Sequence, residues 1–89
     1  MKEDTLNNLK LGEQAKIKAL NCTGNLRRRL LDLGFIANTN ITAMLRSVSK
    51  GLTAYRVCGS FIALRDEDAA KIIILIHEDG LNNAINKGL

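Results

Sequence analysis

Residues 53–76 read TAYRVCGSFIALRDEDAAKIIILI, and the way this stretch alternates, turns and restarts decides the fold class. Thr53–Cys58 puts Tyr55 and Val57 on one face and Arg56 on the other, the period of a half-buried strand. Gly59 and Ser60 then form the expected two-residue hairpin turn, with glycine supplying the positive φ of a type II′ turn, so Phe61–Leu64 returns antiparallel. Asp66 is the expected N-cap of a single helical turn, with Glu67 and Asp68 at the favoured end of its dipole and Ala69 and Ala70 inside it. Ile72–Ile76 is too short and too β-branched for a core helix and reads as a last strand buried on both sides, ended by His77.

Working towards the N-terminus, Asn38–Asn40 marks a turn, and Ile41, Ala43 and Leu45 alternate with Thr42, Met44 and Arg46 in a further strand. Ser47–Leu52 is a loop. Earlier still, Ala15, Ile17 and Ala19 alternate with Lys16 and Lys18 across Gln14–Leu20, and Leu6 and Leu9 suit a lead-in turn or short helix before that strand. About five short antiparallel strands, one real helix and one helical turn point to a small closed β-barrel of the SH3-like kind, since closure removes aggregation-prone sheet edges. Residues 1–79 form this single domain, and residues 80–89 a tail that frays or is weakly helical.

A helix of about two to three turns carries the Arg27–Leu33 run, with Thr23 and Asn25 as candidate N-caps and Gly34 suited to the left-handed conformation that ends a helix. At about 100° per residue, Leu26, Leu30 and Leu33 share the core face, and Leu31 points the opposite way, between Arg27 and Arg28. Arg27, Arg28 and Arg29 face the positive end of the helix dipole, and Asp32 follows Arg28 by four residues in the less favourable ion-pair order. Effects of a few tenths of a kcal/mol up to about 1 each leave room for a functional need to outweigh them. Arg27, Arg28 and Leu31 are therefore the candidate partner-binding residues, with Arg56 as an outlying fourth; Arg29 lies nearer the core stripe and is placed to pair with Asp32.

Charge is polarised along the chain. Between Gly24 and Cys58 six cations face Asp32 alone, whereas Asp66–Asp79 holds five carboxylates against Lys71, within a net charge of +4. No apolar run approaches the ~20 residues of a membrane span, and the first residues do not read as a signal peptide, so a cytoplasmic protein with free Cys22 and Cys58 is expected. There is no phosphate-binding glycine loop, Ser60 has no local histidine companion, and His77 is the single histidine, which argues against an enzyme. Cys22, Cys58 and His77 have no metal-ligand spacing, and Asp66, Glu67, Asp68, Glu78 and Asp79 are better explained as solvated capping carboxylates. No cofactor and no metal site is expected.

Three segments together, LKLGEQAKIKAL, RRRLLDLGF and RVCGSFIALRDEDAAKI, resemble the FeoA family of small ferrous-iron-transport accessory proteins, in order and spacing from Leu6 to Ile76. Where that family often has a proline-containing turn, this chain reads Ser47, Val48, Ser49, Lys50, Gly51, Leu52. The resemblance implies an SH3-like barrel working in bacterial ferrous iron uptake beside FeoB, a membrane permease with a cytosolic GTPase domain, and recruited through it to the inner face of the membrane. Ferrous iron is then the cargo of the system, and any GTP hydrolysis belongs to the partner. Two other readings stand beside it: nucleic-acid binding by the basic middle, against which the lack of stacking aromatics counts, and a regulatory domain with weak transition-metal affinity. Exposed apolar residues such as Leu31 also leave weak self-association open.

Overall fold

A computed structural model describes residues 2–76. Six strands, β1 (Lys2–Thr5), β2 (Gln14–Leu20), β3 (Asn40–Ser47), β4 (Leu52–Val57), β5 (Ser60–Arg65) and β6 (Ile72–Ile76), form one antiparallel sheet in the order β1-β6-β2-β3-β4-β5. Helix α1 (Gly24–Asp32) follows β2, and the four-residue α2 (Asp66–Ala69) joins β5 to β6; 3-10 turns cover Leu6–Asn8 and Val48–Lys50. The sheet curls around an aliphatic core in which Leu30, Ile41, Ile72, Ile74, Tyr55 and Phe35 are all buried. This is the SH3-like architecture.

The sixth strand is β1, which the sequence does not announce: KEDT has no apolar alternation. Its partner specifies it, because β6 sits between β1 and β2 and needs a neighbour on each edge, giving the register Lys2↔Ile76 to Thr5↔Ile73. Among the described residues β5 and β1 do not pair, so hydrogen bonds alone do not close the barrel. The Leu6–Asn8 turn fills the seam instead: Leu6 is buried, its carbonyl accepts a bond from the Tyr55 hydroxyl at 3.4 Å, and α2 packs against the turn.

Two bulges overturn simple alternation. A register shift between Ala43 and Leu45 leaves Leu45 70% exposed instead of inward beside Ile41, and returns Arg46 to the Thr53 row, where its Nε donates to Thr53 Oγ1 at 3.1 Å. A second shift between Ile17 and Ala19 turns Ala19 out and Leu20 half in. The hairpin turn is also displaced by one residue: Cys58 and Gly59 are its centre, both with positive φ (52° and 78°), and Val57 pairs with Ser60. That is the type I′ pattern, whose twist matches the flanking strands. Asp66 is likewise the first helical residue and not the cap; Arg65 occupies the cap position without a side-chain bond.

Helix α1 ends as its glycine demands. With Gly34 at φ 103°, the Phe35 N–H reaches Leu30 O at 3.0 Å and the Gly34 N–H reaches Leu31 O at 3.1 Å, both bonds of a Schellman motif. The motif turns Phe35 into the core, so Leu33, at the cap, is displaced from the core face and stays 37% exposed. A side chain at position 34 would place its Cβ 3.0 Å from the Cys58 sulfur, so the helix end rests directly on the β4–β5 turn. Thr23 is at the N-cap position but donates and accepts no capping bond, and Asn25 lies inside the helix.

Candidate functional site

Neighbouring leucines on α1 have opposite fates: Leu30 is fully buried, while Leu31 is 38% exposed. The Leu31 side chain and Arg27 form a ridge between two open hollows. One is lined by Gly24, Asn25, Arg27, Arg28, Leu31 and Asp32. The other runs between α1 and β2 and is walled by Lys18, Ala19, Leu20, Phe35 and Ala37. Arg27 is held to its place by a long bond from Nη1 to the Leu20 carbonyl, 3.4 Å, which satisfies an acceptor at the end of β2.

Arg27, Arg28 and Leu31 therefore share one surface. Arg56 does not join them: it lines a separate polar hollow with Gln14, Asn40, Thr42, Cys58 and Gly59. Among the described residues Arg29 and Asp32 form no ion pair; the pair that does form, Lys18–Glu3 at 2.5 Å, lies exposed between β2 and β1. Two further apolar residues at the C-terminal end of α1 are exposed beyond what the sequence suggests, Leu33 and Ile36, the latter 54% exposed, and neither lines the two hollows. Their signal was the Schellman ending itself, since the residue at the cap and the one after the buried Phe35 leave the core-facing arc.

No acidic residue lies in the first turn of α1; Arg29, expected at the positive end of the dipole, lies instead in the last turn, where a cation is favoured, because the helix starts at Gly24. Two groups have displaced ionisation. Burial pushes the Tyr55 phenol above its ordinary value, opposed by Thr53 and Arg46. The half-buried Asp4 carboxylate is held below its ordinary value by the Asn8 side-chain amide at 2.8 Å and the Thr5 N–H at 2.7 Å. Cys22 and Cys58 are free thiols, and among the described residues no three His, Cys, Asp or Glu side chains cluster as metal ligands. His77, Glu78, Asp79 and the 80–89 tail lie outside the described residues. No described helix is long and apolar enough to cross a membrane. The arrangement is an apolar ridge flanked by guanidinium groups.

Residues 5–75 match the family model of the FeoA domain. The chain belongs to the FeoA family. A putative Fe(2+) transport protein A of Campylobacter jejuni is 37% identical over 68 residues, 76% of this chain and 92% of that protein. An Fe(2+) transport protein A/Fe(2+) transporter FeoB fusion protein of Porphyromonas gingivalis is 36% identical over 67 residues, 75% of this chain, which spans only 8% of the fusion protein's length. Among solved structures, the zinc-complexed FeoA of Stenotrophomonas maltophilia, described as an SH3 domain protein, superposes with a TM-score of 0.71 at 23% identity, covering 79% of this chain and 87% of that one. As a FeoA-family member, the chain takes part in Fe(2+) transport. The matched region begins at Thr5, which leaves most of β1 outside it.

Proposed function

We propose that this FeoA domain is a non-enzymatic, cytoplasmic docking module for a FeoB-type membrane transporter, working at the inner face of the membrane and modulating the uptake or assembly of the ferrous iron pathway. Leu31 is the apolar anchor of the contact and Arg27 and Arg28 its charged flank, with Arg56 a separate, secondary contact. The observation that carries this reading is the fused relative, in which a FeoA-like segment shares a chain with a transporter: covalent linkage holds two modules at high effective concentration, the condition a weak docking surface needs. Two arginines beside an exposed leucine combine guanidinium groups, which interfaces favour, with apolar contact.

The test is titration of the purified chain against the cytosolic GTPase domain of a FeoB-type transporter. Saturable binding that falls at least about tenfold with Leu31→Glu, and severalfold with Arg28→Glu, supports the docking surface. Unchanged binding by both variants removes α1 from it. A second reading, nucleic-acid binding, draws on the complete lack of acidic residues in β2–β5. The same protein titrated with single-stranded RNA distinguishes it, because phosphate neutralisation gives affinity that falls steeply with salt.

A further inference from the structure

Among the described residues the sheet ends in two edge strands built on opposite plans. β1 carries Lys2, Glu3 and Asp4, charges that discourage pairing by another chain. β5 reads SFIALR and runs without proline, lysine or bulge in an unbroken six-residue register against β4. The turn-closing pair Val57–Ser60 sets the alternation of that ladder, so Ser60, Ile62 and Leu64 bond to β4 while the N–H and C=O of Phe61 and Ala63 point away from the sheet. Among the described residues no other backbone or side-chain group bonds to Phe61 or Ala63. Both side chains are exposed, Phe61 at 68%.

We propose that β5 is the contact strand of a homodimer, in which two copies of this chain pair their β5 strands antiparallel about a twofold axis at Ala63. The occupant follows from the strand's self-complementarity. In that register Phe61 lies opposite the partner's Arg65 on the outer face, an aromatic–guanidinium pair, and Ile62 lies opposite the partner's Leu64 on the inner face. Ala63 meets its own copy at the axis. It continues the outer row Leu45–Ala54–Ala63, whose two alanines leave the sheets free to approach flat. Arg65 is the one charge on β5, and four residues of strand, about 13 Å, separate the two copies of it, beyond the screening length of about 8 Å at physiological salt. One pair of short strands covers less area than a permanent interface, so the dimer is weak and forms with rising concentration.

Sedimentation velocity of the full chain, from about 10 μM to 1 mM, tests this together with amide hydrogen exchange. The wild type is expected to move from monomer to dimer, with exchange at Phe61 and Ala63 slowing as it does. Ala63→Pro removes the outward N–H at an edge position where proline is tolerated, and Ala63→Lys sets two ammonium groups at the axis; both are expected to stay monomeric. A cooperative melt and an unchanged circular-dichroism spectrum establish that each variant is folded, and the exposed Ala63→Lys site serves if Ala63→Pro is not. Phe61→Ala weakens the dimer about three- to tenfold. Leu31→Glu leaves it unchanged, which separates this contact from the docking surface on α1. A wild type that stays monomeric at the top concentration overturns the proposal. So does a dimer that survives Ala63→Lys, or one that is lost with Leu31→Glu while the β5 amides exchange freely. Protection of those amides in a monomeric chain by an added extended acidic peptide assigns the edge to a foreign strand and overturns it as well.

Discussion

Helices α1 and α2 are charged in contrasting ways at their first turns. In α2, Asp66, Glu67 and Asp68 fill the first turn, where the dipole favours them, and Ala69 is buried beneath. In α1 the first turn has no acid, arginines follow, and Leu31 and Leu33 are left uncovered. Everything in α2 is accounted for by the fold's own needs: a short connector must satisfy its N–H groups and bury its one inward residue. α1 is held by Leu30 and Phe35; its first turn lacks the acid that would favour it, while Arg29 lies in its last turn, where the dipole favours a cation, and Leu31 is left on the outer side, which the docking proposed above would put to use.

That contrast can be broken at its strongest point first. Leu30→Ala removes the fully buried anchor of α1 and is expected to cost about 2–5 kcal/mol, read from chemical denaturation. An effect below about 1 kcal/mol would mean that α1 is not anchored as described. Leu31→Glu, one residue on, is expected to change stability by less than about 0.5 kcal/mol while weakening docking on the transporter's GTPase domain at least about tenfold. A large fall in Tm would place Leu31 in the core and erase the difference between the two faces.

Tyr55 probes the seam on which α2 rests. Its neutral phenol is favoured in the folded state, so its contribution is present below the unfolded pKa of about 10 and is lost as pH rises through the higher folded value. Tyr55→Phe is expected to cost about 0.5–1.5 kcal/mol at neutral pH, where the bond to Leu6 is lost, and to lose less stability than wild type above pH ~10. Parallel alkaline unfolding curves for the two proteins would show that the phenol is not shielded. The smallest effect sharpens the comparison most directly: Asn25→Asp gives α1 the first-turn charge that α2 already has, and is expected to stabilise the domain by about 0.3–1 kcal/mol at low salt.

Where one face of an element is buried and the other wet, the sequence is readable. Tyr55 and Val57 against Arg56, Ala15 and Ile17 against Lys16, and Leu30 against Leu31 all lie where their period puts them. The acidic turn of α2 and the glycine ending of α1 are legible too, because both follow from local backbone chemistry. What escapes is set by partners distant in the chain. β1 is a strand because β6 has an open edge, and the bulges at Ala43/Leu45 and Ile17/Ala19 arise as the sheet curls, reversing Leu45 and Ala19. The one-residue shift of the hairpin turn puts Cys58 at positive φ, a conformation few would assign to cysteine, and Gly34 makes room for its sulfur. At the candidate site, the Arg27–Arg28–Leu31 grouping was visible as helix geometry. The distance of Arg56 from it was not, since strand and helix come together only through packing.

Because Lys2–Thr5 pairs with Ile72–Ile76, the earliest of the described strands in synthesis waits for the latest. The β3–β4–β5 meander contains only neighbours in sequence and can assemble while the chain is still growing. β1 and β2 both pair with β6, so the order of synthesis and the order of assembly differ, and the half-finished domain offers its β2 and β5 edges together. For a domain of this size the interval is short, at about 5–20 residues per second, but within it the charges of β1 protect a strand that has nothing yet to pair with.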